Sequence, residues 1–284
     1  MKKLLIPIDF SQNSLRTLDY VLENVKHIAV ELILVWVNNI HSKDISMSEF
    51  EKMSIEKAGV SKMEQIIKDY SSKLSAGSRL TYYIRKGKVH EEVANQAKYN
   101  DVDLVICSTH GISGFEEHYI GSNAHRMVMY CECPVITVRP NYDFHSPSRI
   151  LVLPIDSSSD TCQKVPFACK LAKMTKTEIH ILGLYSSRLS SVRRKVDNYV
   201  AQVEQFISAE HVPHQTVFKE TENISKTVMA YAESVDADMI AIMTEQESSA
   251  WSFLLGTYAE QLIASSKIPV LSVTPKTLVT ASLS

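Results

Sequence analysis

Hydrophobic residues follow two rhythms along this chain. Short unbroken apolar runs, such as residues 3–9 and 32–37, read as strands buried on both faces. Between such runs the apolar positions fall three and four apart. Leu15, Leu18, Leu22 and Val25 form one stripe, and Val60, Met63, Ile67, Tyr70 and Leu74 a longer one, the pattern of helices that lay one face on a sheet. Ser11 to Ser14 supplies cap residues for the first helix. The scheme continues with a strand at 80–84, a helix at 89–99, a strand at 104–107, a helix capped by Ser122 and a strand at 135–138. Strand and helix in alternation predict an α/β fold: a mostly parallel sheet with helices on both faces. Such sheets take ligands at the carboxyl ends of their strands, near a topological switch point.

The pattern then repeats. Residues 4–11, LLIPIDFS, return 147 positions later as LVLPIDSS at 151–158, and 31–35 return as 178–182. Further on the offset falls to 135, which pairs Asp103 with Asp238, Thr109 with Thr244, Gly121-Ser122 with Gly256-Thr257, and Pro134-Val135 with Pro269-Val270. The second long helix carries its stripe on Val196, Tyr199, Val203 and Phe206. Two copies of one unit fused head to tail account for this. The polar stretch 141–149, with Pro147, marks the join and predicts domains at 1–145 and 146–284.

Composition narrows the class. Of 284 residues 45% are hydrophobic and 22% charged, the balance of a globular protein. The net charge of −2 divides evenly between the halves, so neither is basic enough to point to nucleic acid or a membrane surface. The apolar start is broken by Pro7 and Asp9, too early for a signal peptide, and no run approaches membrane-spanning length. Five cysteines, mostly among apolar neighbours, fit reduced thiols. A cytoplasmic location is the expectation.

Candidate chemistry concentrates in residues 104–123, LVICSTHGISGFEEHYIGSN. Three of the chain's eight glycines, Gly111, Gly114 and Gly121, fall there. A strand, a glycine-bearing loop and a helix start present unpaired N–H groups and a helix dipole to an anion. Glycines that only make turns fit the same pattern. Asp9 and Asp156 end strands without a second acid at paired-catalyst spacing, so ribose contact or capping suits them better. His110 and His118 lack the partners of a metal site, and Cys131-Glu132-Cys133 is neither a zinc nor a redox spacing. Trp36 is read as core or pocket border, Arg193-Arg194-Lys195 as a solvated face, and Arg85-Lys86-Gly87-Lys88 as a surface turn or a phosphate contact. There is no Walker-type Gly-Lys-[Ser/Thr], and no catalytic residue stands out.

Taken in order, the Pro-x-Asp strand end, the second strand end, the loop and the final Pro-Val-x-x-Val strand resemble the universal stress protein family, in both copies and over essentially the whole chain. The resemblance implies two Rossmann-like domains, each a five-stranded, mostly parallel sheet flanked by helices. It also implies an adenine nucleotide, ATP or AMP, with Mg²⁺ a companion of ATP, in a regulatory rather than metabolic role. Nucleotide-binding members carry Gly-x2-Gly-x9-Gly-[Ser/Thr]. Copy one has Ser108 for the first glycine and keeps Gly111, Gly121 and Ser122. By resemblance Asp9 and Ile8 face ribose or adenine and Val37 packs on adenine. Ser108, Gly111, Gly121, Ser122 and Asn123 surround the phosphates. Glu116 and Glu117 add negative charge to that loop. Copy two has Met243 and Gln246 at the first two glycine positions and reads as a degenerate site. Family members pair through their last strand, so residues 135–138 and 270–273 are expected to meet as an internal pseudo-dimer, open to further homodimerisation. The alternatives are a ligand-free module that binds a protein partner, or a weak ATPase.

Overall fold

The computed structural model describes residues 2–39, 47–110, 121–144, 149–244 and 257–275. Copy one runs β1 (Lys2–Pro7), α1 (Gln12–Val25), β2 (Val30–Asn38), α2 (Glu49–Ser71), β3 (Arg79–Lys86), α3 (Val89–Tyr99), β4 (Leu104–Ser108), α4 (Ser122–Tyr130) and β5 (Val135–Val138). Copy two repeats it as β6 (Ile150–Ile155), α5 (Val165–Thr175), β7 (Glu178–Tyr185), α6 (Ser190–Ala209), β8 (His214–Glu220), α7 (Ile224–Ser234), β9 (Met239–Met243), α8 (Thr257–Ser265) and β10 (Val270–Val273).

All ten strands join one sheet in the order β3-β2-β1-β4-β5-β10-β9-β6-β7-β8. Within each copy every pairing is parallel. The copies meet through β5 and β10, which pair antiparallel with Ile136 opposite Leu271 and Val135 opposite Ser272. The expected pairing of the last strands is therefore present, and it covers two edges that would otherwise be open.

Period-two alternation sorts the strand residues onto two cores. Leu4, Ile6, Leu32 and Leu34 face α1 and α2, with Leu153, Ile179 and Ile181 continuing that layer against α5 and α6. Leu5, Ile33 and Val35 face the other way, toward Val93 of α3 and Met127 of α4, and the layer continues under α7 and α8.

Some expected details shift. β1 stops at Pro7 rather than residue 9, although Ile8 N–H still donates to Val35 O at 2.8 Å. The chain then turns at Phe10, whose φ of 64° lies in the left-handed region that bulky residues rarely enter. The buried stripe of α6 is Val196, Val200, Val203 and Ile207, leaving Phe206 exposed. The apolar periodicity there was compatible with two neighbouring faces, and packing selected the aliphatic one. Leu74 lies beyond the end of α2.

Candidate functional site

In copy one, strand order reverses between β1 and β4, which leave the sheet side by side with β2 on the other flank of β1. Their carboxyl ends bring Asp9, Val37 and Ser108 to one rim. Ile8 and Val37 are both buried at the ends of their runs. Asp9 Oδ1 accepts from Ser11 N at 3.0 Å and from Ser11 Oγ at 2.5 Å. Ser11 in turn caps α1 through the N–H of Ser14 at 3.2 Å. The carboxylate thus braces the turn that launches the helix, which fixes where it stands at the rim.

The exit of β4 is closely tied down. Thr109 N–H reaches across to Val138 O at 2.9 Å, and Ser108 Oγ folds onto its own loop, donating to His110 O at 2.8 Å. Asn13 of α1 donates to the same carbonyl at 3.3 Å, a link between helix and loop that no sequence motif marked. After the loop, Gly121 N–H donates to Thr109 O at 2.8 Å. A Cβ on Gly121 would sit 2.9 Å from that oxygen, so close backbone approach is what requires glycine here. Gly121 also occupies the N-cap position and accepts from His125 N–H at 3.0 Å. The expectation that Ser122 caps α4 is corrected accordingly: Ser122 is the first helical residue and Asn123 the second, with no side-chain cap. Both contribute main-chain N–H groups at the positive end of the helix dipole. Gly111, Glu116, Glu117 and His118 lie outside the described residues, as do Gln246, Trp251 and Gly256 of copy two.

Beside Asp9, the Phe10 ring packs 5.3 Å from Trp36, and Lys62 Nζ lies over the same ring, 5.3 Å from its centre. Trp36 is core: its ring fills the space a side chain on Gly59 of α2 would need, with a Cβ there only 1.9 Å from it. The turn after β3 is held to the end of β2 by Gly87 N–H donating to Asn38 O at 3.2 Å, so Lys86 and Lys88 stand at the same rim.

The universal stress protein family model matches residues 1–139 and, a second time, 147–274. This chain belongs to the universal stress protein family. The universal stress protein MJ0577 of Methanocaldococcus jannaschii is 29% identical over 160 residues, 49% of this chain and 94% of its own length. A universal stress protein from Archaeoglobus fulgidus shares the tandem fold, with a TM-score of 0.77 at 18% identity, covering 96% of this chain and 98% of its own. Another structure from that organism, solved in complex with dAMP, matches 45% of this chain and 98% of its own at 17% identity and a TM-score of 0.36.

The second universal stress protein unit keeps the frame and alters the rim. Asp156 Oδ1 accepts from Ser158 N at 2.8 Å and from the Ser158 hydroxyl, as Asp9 does from Ser11. Thr244 N–H bonds Val273 O at 2.9 Å, the counterpart of Thr109 to Val138. The helix after β6, however, begins only at Val165. Pro166 at its start lacks an N–H and would clash with a preceding turn. Lys164, the counterpart of Thr17, is only 3% exposed. Its Nζ donates to Thr161 O at 2.6 Å and Thr161 Oγ1 at 3.3 Å, and among the described residues no carboxylate lies within ion-pair distance. Burial pushes its amine down to about 8, against the opposing pull of Asp156. Met243, buried, stands where copy one has Ser108.

Among the described residues no group of His, Cys, Asp or Glu is arranged to hold a metal, and no helix is long and apolar enough to cross a membrane. Cys107 and Cys131 are buried, and burial raises both thiols above the ordinary cysteine range.

Proposed function

We propose that copy one binds an adenine nucleotide, ATP or AMP, at the carboxyl ends of β1 and β4, and that the protein works in the cytoplasm as a nucleotide-responsive stress protein rather than a metabolic enzyme. The observation that carries this reading is the strand-order switch between β1 and β4, flanked by a fixed carboxylate, Asp9, and by the bare N-terminus of α4. Asp9 suits ribose hydroxyls, while Ser108, Gly111, Gly121, Ser122 and Asn123 are the groups assigned to the phosphates. Lys86 and Lys88 at the rim are already paired with Glu56 and Glu91, and Mg²⁺ would enter with ATP. Copy two, with Met243 and the buried Lys164, is assigned a partner role without nucleotide.

Mass spectrometry of the purified, undenatured protein, followed by calorimetric titration with ATP and AMP, tests the assignment. One adenylate per chain is expected, weakened at least tenfold by Gly111→Val or by Asp9→Asn, which keeps the Oδ1 that braces the turn. Gly121→Val is unsuited as a probe, because its side chain would strike Thr109 O whatever the ligand. Absence of heat and of any thermal shift at millimolar ATP and AMP would remove the proposal.

A further inference from the structure

At the opposite edge of the sheet from the nucleotide rim, the two copies enclose an apolar slot. It lies between β1 and α5, is lined by Leu104, Phe167, Leu171, Met174 and Leu271, and has a volume of about 40 Å³. That is roughly a quarter of the ~150 Å³ apolar cavity that admits benzene, so it has room for a short alkyl group and not for a ring.

Three charged side chains complete its lining: Lys2, Lys170 and Asp103. Asp103 is already fully engaged. Its Oδ1 accepts from Lys170 Nζ at 2.6 Å across the copies, and its Oδ2 accepts from Lys3 N at 3.1 Å. Lys2 has no carboxylate partner among the described residues. Neighbouring Lys170, with burial, holds Lys2 below the ordinary lysine range against the opposing pull of Asp103. Two cations thus share one acid beside an apolar hole.

The pseudo-symmetric seam shows that this is not a general property of the fold. There Arg149 stands for Lys2, Asp238 for Asp103 and Glu23 for Lys170, reversing the surplus. Tyr142 and Phe144, from the segment joining the copies, pack on Tyr20 at that seam.

We propose that the slot between β1 and α5 is a binding site for short aliphatic carboxylates of two to four carbons, with the alkyl end among Leu171, Met174 and Leu271 and the carboxylate between Lys2 and Lys170. The apolar wall supplies the alkyl contact, and Lys2, which stands outside the Lys170–Asp103 bond, supplies a charge-assisted hydrogen bond. The site is independent of the nucleotide assignment, which concerns the other edge of the sheet.

Methyl NMR titration of the full chain tests it, with propanoate, propanol and inorganic phosphate compared side by side. Propanoate should shift the Met174, Leu171 and Leu271 methyls saturably. Propanol, which lacks the charge, and phosphate, which lacks the alkyl group, should not. Lys2→Met leaves the Lys170–Asp103 pair intact and should weaken propanoate about tenfold, the worth of one hydrogen bond to a charged group. Met174→Trp should fill the slot and abolish the shifts, with unchanged methyl signals of Val203 and Ile207 reporting that the fold is kept. Propanol or phosphate acting as well as propanoate, an unaltered affinity in Lys2→Met, or no saturable shift at all would each overturn the proposal.

Discussion

Copy one and copy two hold their strands in the same register and part company at the rim where a ligand would sit. Both place an aspartate just past their first strand that accepts from a serine two residues on, and both pin the exit of the fourth strand to the fifth. From that shared frame copy one goes directly into α1 at Gln12, with Thr17 inside the helix. Copy two delays its helix to Val165 and buries a lysine where the missing turn would have been. The turn after the third strand carries Arg85, Lys86 and Lys88 in copy one, and its counterpart carries Glu220 and Glu222. The sheet is a matter of backbone and bulk, which duplication preserves. The rim is a matter of single side chains, and there the two copies differ.

The comparison can be broken most forcefully at Trp36. Copy one seats this indole against Gly59. Copy two has Gly183 at the equivalent strand position, and the Phe218 ring takes the space, 2.5 Å from where a Cβ would be. Trp36→Ala should cost about 3–5 kcal/mol in urea denaturation. Phe218→Ala, at a residue 42% exposed, should cost much less. Gly59→Ala should destabilise the wild-type by about 1–3 kcal/mol through overpacking, and that penalty should vanish in the Trp36→Ala background. An equal penalty in both backgrounds would refute the packing.

Next in size is Lys164. Its folded amine titrates near 8, below the 10.5 of a free lysine, so between those values the unfolded chain binds the extra proton and stability rises with pH. At neutral pH the burial cost is fully present. Lys164→Met should therefore stabilise the protein by about 2–3 kcal/mol at pH 7, with the advantage shrinking as pH climbs from 8 toward 10.5. A pH-independent difference in chemical-denaturation midpoints would count against a buried ammonium.

Smaller effects should come with opposite signs from the aspartates that start β4 and β9. Burial pulls Asp103 upward, but Lys170 and the Lys3 N–H outweigh it and leave it below the usual carboxylate range. Asp238 has no lysine and burial leaves it raised, despite the Ile150 N–H. Asp103→Asn should thus lose about 1 kcal/mol or less at pH 7, given its partial exposure, a loss that disappears as the wild-type protonates below pH 3.8. Asp238→Asn should gain a similar amount at pH 7, and the gain should fade on acidification. Thermal melts across pH 3–8 distinguish the two. Smallest of all is the β5–β10 seam, where Thr137 Oγ1 reaches Val270 O at 3.5 Å but Ser272 Oγ is buried without a partner among the described residues. Ser272→Ala should be neutral to slightly stabilising, by roughly 0.5–1 kcal/mol, since it removes an unsatisfied hydroxyl.

The strands and their order of appearance were legible because unbroken apolar runs and an internal repeat leave few alternatives, whereas the pairing of residues 135–138 with 270–273 came only from the resemblance to the family. Helix faces were less so. Tyr199 and Phe206 satisfy the same periodicity as Val200 and Ile207, and only the opposing strands decide between them. At the rim, Asp9 and Gly121 were marked by position, but the role of Gly121 as the point where two backbones touch was invisible until Thr109 O was placed beside it. Asn13, Phe10 and Lys164 escaped notice because each acts through a tertiary contact or an unusual backbone angle rather than through a motif. Phe10 alone left a trace, as the bulky residue directly after a strand-end aspartate.

The antiparallel join of β5 to β10 has a geometric corollary. Because strands in the two halves run in opposite senses, the rim bearing Asp9 and the rim bearing Asp156 look out from opposite sides of the molecule. A nucleotide settling on one cannot touch a body docked on the other, so a message between them must cross the width of the sheet, through the seam where Ile136 meets Leu271 or through the links that flank it, such as Lys170 to Asp103.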